Sequence, residues 1–132
     1  MKFYTRIPVR DLSGTPIMRG EGDDKKRVPL GEFMAAGLVN AWDRAIALGR
    51  PDMISHDESG KRFMLAIEIT RAIEKGDGWI ELKSDQQEMI KKCAAVVHST
   101  IVVGQIVKAL DEKEIWSAEE IVEDKAAPAG EA

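Results

Sequence analysis

Residues 84–111 read SDQQEMIKKCAAVVHSTIVVGQIVKALD, which supplies a helix start, two apolar stripes and an almost charge-free middle. Ser84 with Gln87 three positions later fits a capping box, in which the serine oxygen takes a free backbone N–H and the glutamine reaches back to another. Asp85 adds negative charge where the helix dipole is positive. Met89, Ile90, Cys93, Val97 and Ile101 then recur at three and four residues, the spacing of one helical face. Val102, Val103, Ile106, Val107 and Leu110 continue the pattern on a shifted stripe. Between Cys93 and Gln105 no side chain is formally charged, and only His98, Ser99 and Thr100 are polar. The spacing predicts a largely enclosed core element. Ser99 and Thr100 cap helices better than they continue them, because their hydroxyls compete for nearby backbone groups. A break there predicts helices over 85–98 and 100–112, the alternative being one bent rod. Gly104 is expected to let a neighbouring backbone come close.

Outward from that stretch, the chain punctuates itself. Residues 2–9 alternate loosely through Phe3, Tyr4, Ile7 and Val9, a short strand that Pro8 ends or confines to an edge. A turn at 11–14 lets residues 15–18 return as a second strand, and residues 20–27 are expected to form a polar, mobile loop. A helix is predicted over 30–48, with Met34, Leu38, Val39, Trp42, Ala45 and Ile46 on one face and Gly49 and Pro51 as its stop. A second is predicted over 58–75, with Phe63, Ile67, Thr70 and Ile73 on one line, Met64 and Leu65 beside it, and Gly76 as its stop. Residues 79–82 fit a brief extended piece. The fold class expected is mainly α with a short N-terminal β-ribbon (α+β), a small domain of four to five helices over 1–112.

The chain has 132 residues and one cysteine, so no internal disulfide forms and one hydrophobic core is the simplest organisation. No apolar run approaches the roughly 18–20 residues of a membrane span, and MKFYTRIPVRD has no signal-peptide core. A soluble protein of a reducing compartment is expected, with no membrane partner. Of the net charge of −4, residues 111–132 carry eight acids and two bases, a local −6. Residues 1–110 then carry +2, which is weak support for nucleic-acid binding, a function that needs a dense basic patch. Ser117 with Glu120 fits a second capping box, opening a short acidic amphipathic helix over 113–124. Residues 125–132, KAAPAGEA, are expected to be a disordered tail.

No grouping of reactive residues has the spacing that chemistry requires. Ser59, Gly60 and Lys61 resemble part of a phosphate loop, but that loop needs glycine at position 55 and serine or threonine at 62, where this chain has Ser55 and Arg62. Lys61 and Arg62 are expected on the solvated first turns of a helix. His56, Asp57 and Glu58 do not make a closed metal site, and His98 lacks a ligand partner at helical spacing. Cys93 and His98, five residues apart on a helix, fall on different faces, and a buried inert thiol is the favoured reading of Cys93. The three acids in GEGDD lack EF-hand spacing. An enzyme is not expected, nor a catalytic residue, cofactor or metal.

The tryptophans are the better candidates for contact. Trp42 continues a helical stripe and reads as core, whereas Trp79 follows a Gly-Asp-Gly turn and Trp116 sits among acids. Trp79 is expected to pack on its own domain in preference to a partner, and Trp116 fits either role about equally. Candidate partner-binding residues are Trp79, Ile115, Trp116, Glu119, Glu120, Ile121, Glu123 and Asp124. The apolar excess on 30–48 and 85–112 also predicts self-association, most simply as a homodimer.

Beyond these local signals, DLSGTPI, RVPLGEFMAAGLVNAW, KRFMLAIEITRAIE, IELKSDQQEMIKKCAAVV and STIVVGQIVKALDE together resemble a group of small bacteriophage and prophage proteins of unassigned function. The resemblance spans about residues 3–112. It is carried by Asp11, Leu12, Gly14, Pro16, Ile17, Leu30, Gly31, Leu38, Val39, Asn40, Ala41, Val102, Val103, Gly104 and Gln105. This chain departs from the pattern at Thr100, where a proline often stands, and in the acidic extension after Glu112. The resemblance implies a phage setting, with the host cytoplasm or the virion as location, but no activity or binding residues. Two functions are carried forward: a non-catalytic protein of virion assembly or a minor virion component, such as a tail-assembly chaperone, and a regulator or inhibitor that binds a host protein.

Overall fold

The helical break falls where the hydroxyl residues stand. In the computed structural model, which describes residues 1–111, His98 is extended (φ −105°, ψ 165°) between α3, Ser84–Val97, and α4, Thr100–Asp111. The Ser99 carbonyl accepts the Val103 N–H at 2.9 Å and so begins the second helix. The start of α3 lies one residue earlier than the capping reading placed it. Lys83 is the capping residue, its backbone N–H donates to Gln86 Oε1 at 2.8 Å, and Ser84 is already helical. Gln87 instead donates its side-chain amide to the Leu82 carbonyl at 3.2 Å.

Two further helices complete the architecture, α1 over Leu30–Ala47 and α2 over Ser59–Glu74. After α1, Gly49 takes φ +71°, a left-handed conformation that glycine adopts without steric cost. There the Arg50 N–H reaches back to the Ala45 carbonyl at 2.8 Å and closes the helix end. The end of α2 is held from outside, because the Arg6 guanidinium donates to the carbonyls of Ile73 and Gly76. A cation at that end also suits the helix dipole.

The N-terminal ribbon differs in pairing from the simple hairpin. Strand β1, Lys2–Tyr4, runs antiparallel to β4, Trp79–Glu81, with Phe3 opposite Ile80. Residues 7–10 lie between the returning chain and the lead into α1: Ile17 N–H donates to Val9 O, and Val9 N–H donates to Val28 O. Residues 20–27 are structured, not the loop expected from their polarity. Strands β2, Met18–Arg19, and β3, Lys26–Arg27, pair around a single 3-10 turn at Gly22–Asp24.

The core forms around α1, which packs against α2 and α3, while α4 folds back on α3. Met34, Leu38, Ala41 and Ala45 of α1 meet Leu65 and Ile69 of α2, Ile90 and Ala94 of α3, and Ile106 and Leu110 of α4 in one cluster. Burial of an isoleucine such as Ile106 contributes about 1.5–3 kcal/mol. The N-terminal segment contributes Phe3, Tyr4, Ile7 and Val9 to this core, and polar pairs fasten it further. Thr5, fully buried, donates through its N–H and its hydroxyl to the Gly78 carbonyl, and its own carbonyl accepts the Gly31 N–H. Gln105 of α4 and the Arg10 backbone exchange two hydrogen bonds at 2.7 and 2.8 Å. The acidic helix expected over 113–124 and the tail expected over 125–132 lie outside the described residues. Among the described residues no helix is long and apolar enough to cross a membrane.

Candidate protein-binding face

Helix α2 turns a different side inward from the one its largest residues mark. Leu65, Ala66, Ile69 and Ala72 are buried, whereas Phe63 is 57% exposed and Met64 55%. The buried stripe also includes Arg62, which is 4% exposed and not the solvated residue its charge implied. Its guanidinium donates to the Ser55 carbonyl and, at 3.0 Å, to Ser59 Oγ, so the loop before α2 supplies the oxygens that its burial requires. The stripe's own spacing was the available signal, since Arg62, Leu65, Ala66 and Ile69 fall at helical intervals.

The outward side of α2 borders the outward side of α1. Between them runs a groove of about 650 Å³ with Ala35, Ala36 and Ala66 along it and Val39, Phe63 and Ile67 at its sides. Val39, half exposed, and Phe63 also line a smaller hollow of about 170 Å³ that continues to Trp42, Asp43 and Ser59. From Glu32 to Asp43 the α1 side extends about 16 Å at 1.5 Å per residue, and Ile46, also half exposed, continues the same stripe. The other end is charged: Arg19 and Glu32 pair at 2.6 Å, and Arg71 and Glu74 line the same groove. Alanine floors, aliphatic and aromatic sides and charged ends form a surface that accepts apolar side chains of another protein element.

The sequence-derived contact residues fall elsewhere. Trp79 is half-buried, its backbone pairs with Tyr4 in the β1–β4 ribbon, and its ring lies 5.0 Å from the Tyr4 ring, so it packs on its own domain. Ile115, Trp116, Glu119, Glu120, Ile121, Glu123 and Asp124 lie outside the described residues. Val39 and Phe63, at the sides of the groove, belong to the apolar stripes expected of their two helices. Trp42 is only partly buried and stacks on His56, ring centroids 4.5 Å apart, at the end of the face.

The reactive groups are separated. Cys93 is buried, and desolvation pushes its thiol up to about 11, so it is held as the neutral thiol at neutral pH. His98 turns to α1 instead: its Nε2 lies 2.6 Å from the Phe33 carbonyl and its ring packs edge-on against Phe33. Among the described residues no three histidine, cysteine, aspartate or glutamate side chains come together as a metal site.

Several residues of the DLSGTPI and VVGQ stretches hold the scaffold. Asp11 accepts hydrogen bonds from the Ser13 N–H, the Ser13 hydroxyl and the Thr15 N–H, which keep its carboxyl below the usual carboxylate range. Gly14 then takes φ +86° and Pro16 begins the return, while Gln105 ties α4 to Arg10. Compared with known protein families, curated proteins and solved structures, the chain matches none.

Proposed function

We propose that this chain is a non-catalytic bacteriophage protein that works through protein–protein contacts, in virion assembly or as a minor virion component, a tail-assembly chaperone being one concrete form. The observation that carries the contact role is the α1–α2 groove, where the described residues leave an apolar face uncovered although the same two helices bury another face. The phage setting comes from the sequence resemblance. The acidic segment after Asp111, with Ile115, Trp116 and Ile121 beside Glu119, Glu120, Glu123 and Asp124, is a second contact element suited to a basic partner surface. Regulation of a host protein is the other role compatible with such a surface.

The deciding experiment deletes the gene from the phage and follows infection. Unjoined heads or tails in electron micrographs, with replication unaltered, support assembly. Normal particles with altered host transcription or replication overturn the assembly reading in favour of a regulator.

A further inference from the structure

We infer that the α1–α2 face is occupied by a second copy of this chain, in a two-fold dimer. The inference rests on the contact role proposed above and names its occupant.

A two-fold interface must be complementary to itself, because each patch meets an identical patch. This face has that property. Phe63 projects at one side of the groove, 57% exposed, and beside it lies a floor of alanines, Ala35 and Ala36 from α1 and Ala66 from α2. A projecting ring and a hollow of small residues on the same patch allow each copy's Phe63 to cover the other copy's alanines. Val39, half exposed next to Phe63, then lies near the centre of the contact.

Charge does not oppose the pairing. The polar end carries two cations, Arg19 and Arg71, and two anions, Glu32 and Glu74, so its net charge is zero and two such ends can pair opposite signs. The area is also of the right order. From Glu32 to Ile46 the face runs about 21 Å at 1.5 Å per residue, and two adjacent helices are about 20 Å wide, which gives a projected face of ~420 Å². A ridged surface exposes more than its projection, so a pair of copies buries on the order of 1,000 Å², the small end of specific interfaces. Among the described residues none covers this face, and the last of them, Asp111, is bonded through its carboxylate to Lys91 of α3.

Multi-angle light scattering of the full chain tests the inference. At micromolar concentration the wild-type protein is expected at twice its 14.6 kDa chain mass. Phe63→Glu, which removes the projection, and Ala36→Phe, which fills the hollow, should each give the mass of one chain with an unchanged circular-dichroism spectrum. Leu12→Glu, at an 89% exposed position on the ribbon, should remain a dimer. A wild-type monomer at millimolar concentration overturns the inference, as does a dimer that persists in both groove variants. The contact role is read separately, by particle assembly in phage carrying the same variants. Monomeric wild type with assembly blocked by Phe63→Glu removes the second copy and leaves the face as a site for another protein. Dimer loss without any assembly defect supports the dimer and removes the assembly role.

Discussion

Helix α1 has two apolar sides with different fates. Met34, Leu38, Ala41 and Ala45 are enclosed by α2, α3 and α4, each at 1% exposure or less. Ala35, Ala36, Val39 and Ile46, on a second stripe of the same helix, border space that the described chain leaves open. The covered side meets small residues that allow close approach: a Cβ on Gly37 would stand 3.5 Å from the Ala94 backbone of α3. The open side has a similar small-residue floor but no element of the described chain upon it. Apolar periodicity therefore identifies a face that prefers to leave water, and the topology decides which such face its own chain covers.

The largest effect that could break this comparison is at the covered side. Val102 of α4 is 8% exposed within the core cluster, and Val102→Asp would bury a carboxylate among aliphatic side chains. The expected cost exceeds about 3 kcal/mol, a large part of the roughly 5–15 kcal/mol that holds a domain together, so soluble folding should be lost. Phe63→Glu puts the same sign of charge on the open face and should change the stability of the isolated chain by no more than about 0.5 kcal/mol. Urea titration of both variants, at a concentration low enough to keep the wild-type protein monomeric, checks the contrast. Similar losses of stability would mean that the α1–α2 face is covered within one chain.

Two glycines separate the sides on a finer scale. A Cβ on Gly31 would stand 2.8 Å from the Thr5 carbonyl oxygen and 2.9 Å from the Thr5 Cβ, and Thr5 is itself fixed by two hydrogen bonds to Gly78. Gly31→Ala is therefore expected to destabilise by about 1–3 kcal/mol despite alanine's better helix propensity. Gly104, which the sequence marked for a close approach, meets nothing within 4 Å among the described residues outside its own helix. Gly104→Ala should stabilise by up to about 1 kcal/mol through helix propensity alone. Thermal melting reads both signs. A stabilising Gly31→Ala would show that the ribbon and α1 are not in tight contact.

Helix positions were legible in the sequence because their ends are chemically marked: Gly49 and Gly76 after the first two, Ser99 between the last two. The inward face of α2 was not. Phe63, Ile67, Thr70 and Ile73 form the conspicuous stripe by size, yet the helix buries the smaller set containing Ala66 and Ala72, because short side chains allow α1 to lie close. Arg62 was hidden for a related reason, since its charge outweighs its position unless the carbonyl of Ser55 is known to meet it. The pairing of β1 with β4 depends on residues nearly eighty positions apart, beyond any local signal. The apolar excess on 30–48 was legible, but the groove was not, because it is the absence of a neighbour from the described residues along two stripes that both look like core.

The smallest effect sharpens the same contrast at the edge of the covered side. The N-terminal ammonium of Met1 bonds to Glu81 Oε1 at 2.9 Å, on the far end of the β1–β4 ribbon, and this hydrogen bond is the main reason that the Glu81 carboxyl lies below its ordinary value. A carboxyl depressed in the folded state binds its proton less readily there than in the unfolded chain. Its contribution is thus complete above the unfolded value and disappears as pH falls through the folded one. Glu81 is exposed, so salt screens the pair. Comparison of the wild-type protein with Glu81→Gln, by melting temperature from neutral pH into acid, should show a small wild-type advantage at neutral pH that vanishes in acid and shrinks with added salt. An advantage that persists unchanged below the carboxylate range would mean that the glutamine disturbs the ribbon itself, and that the covered side depends on Glu81 through packing and not through charge.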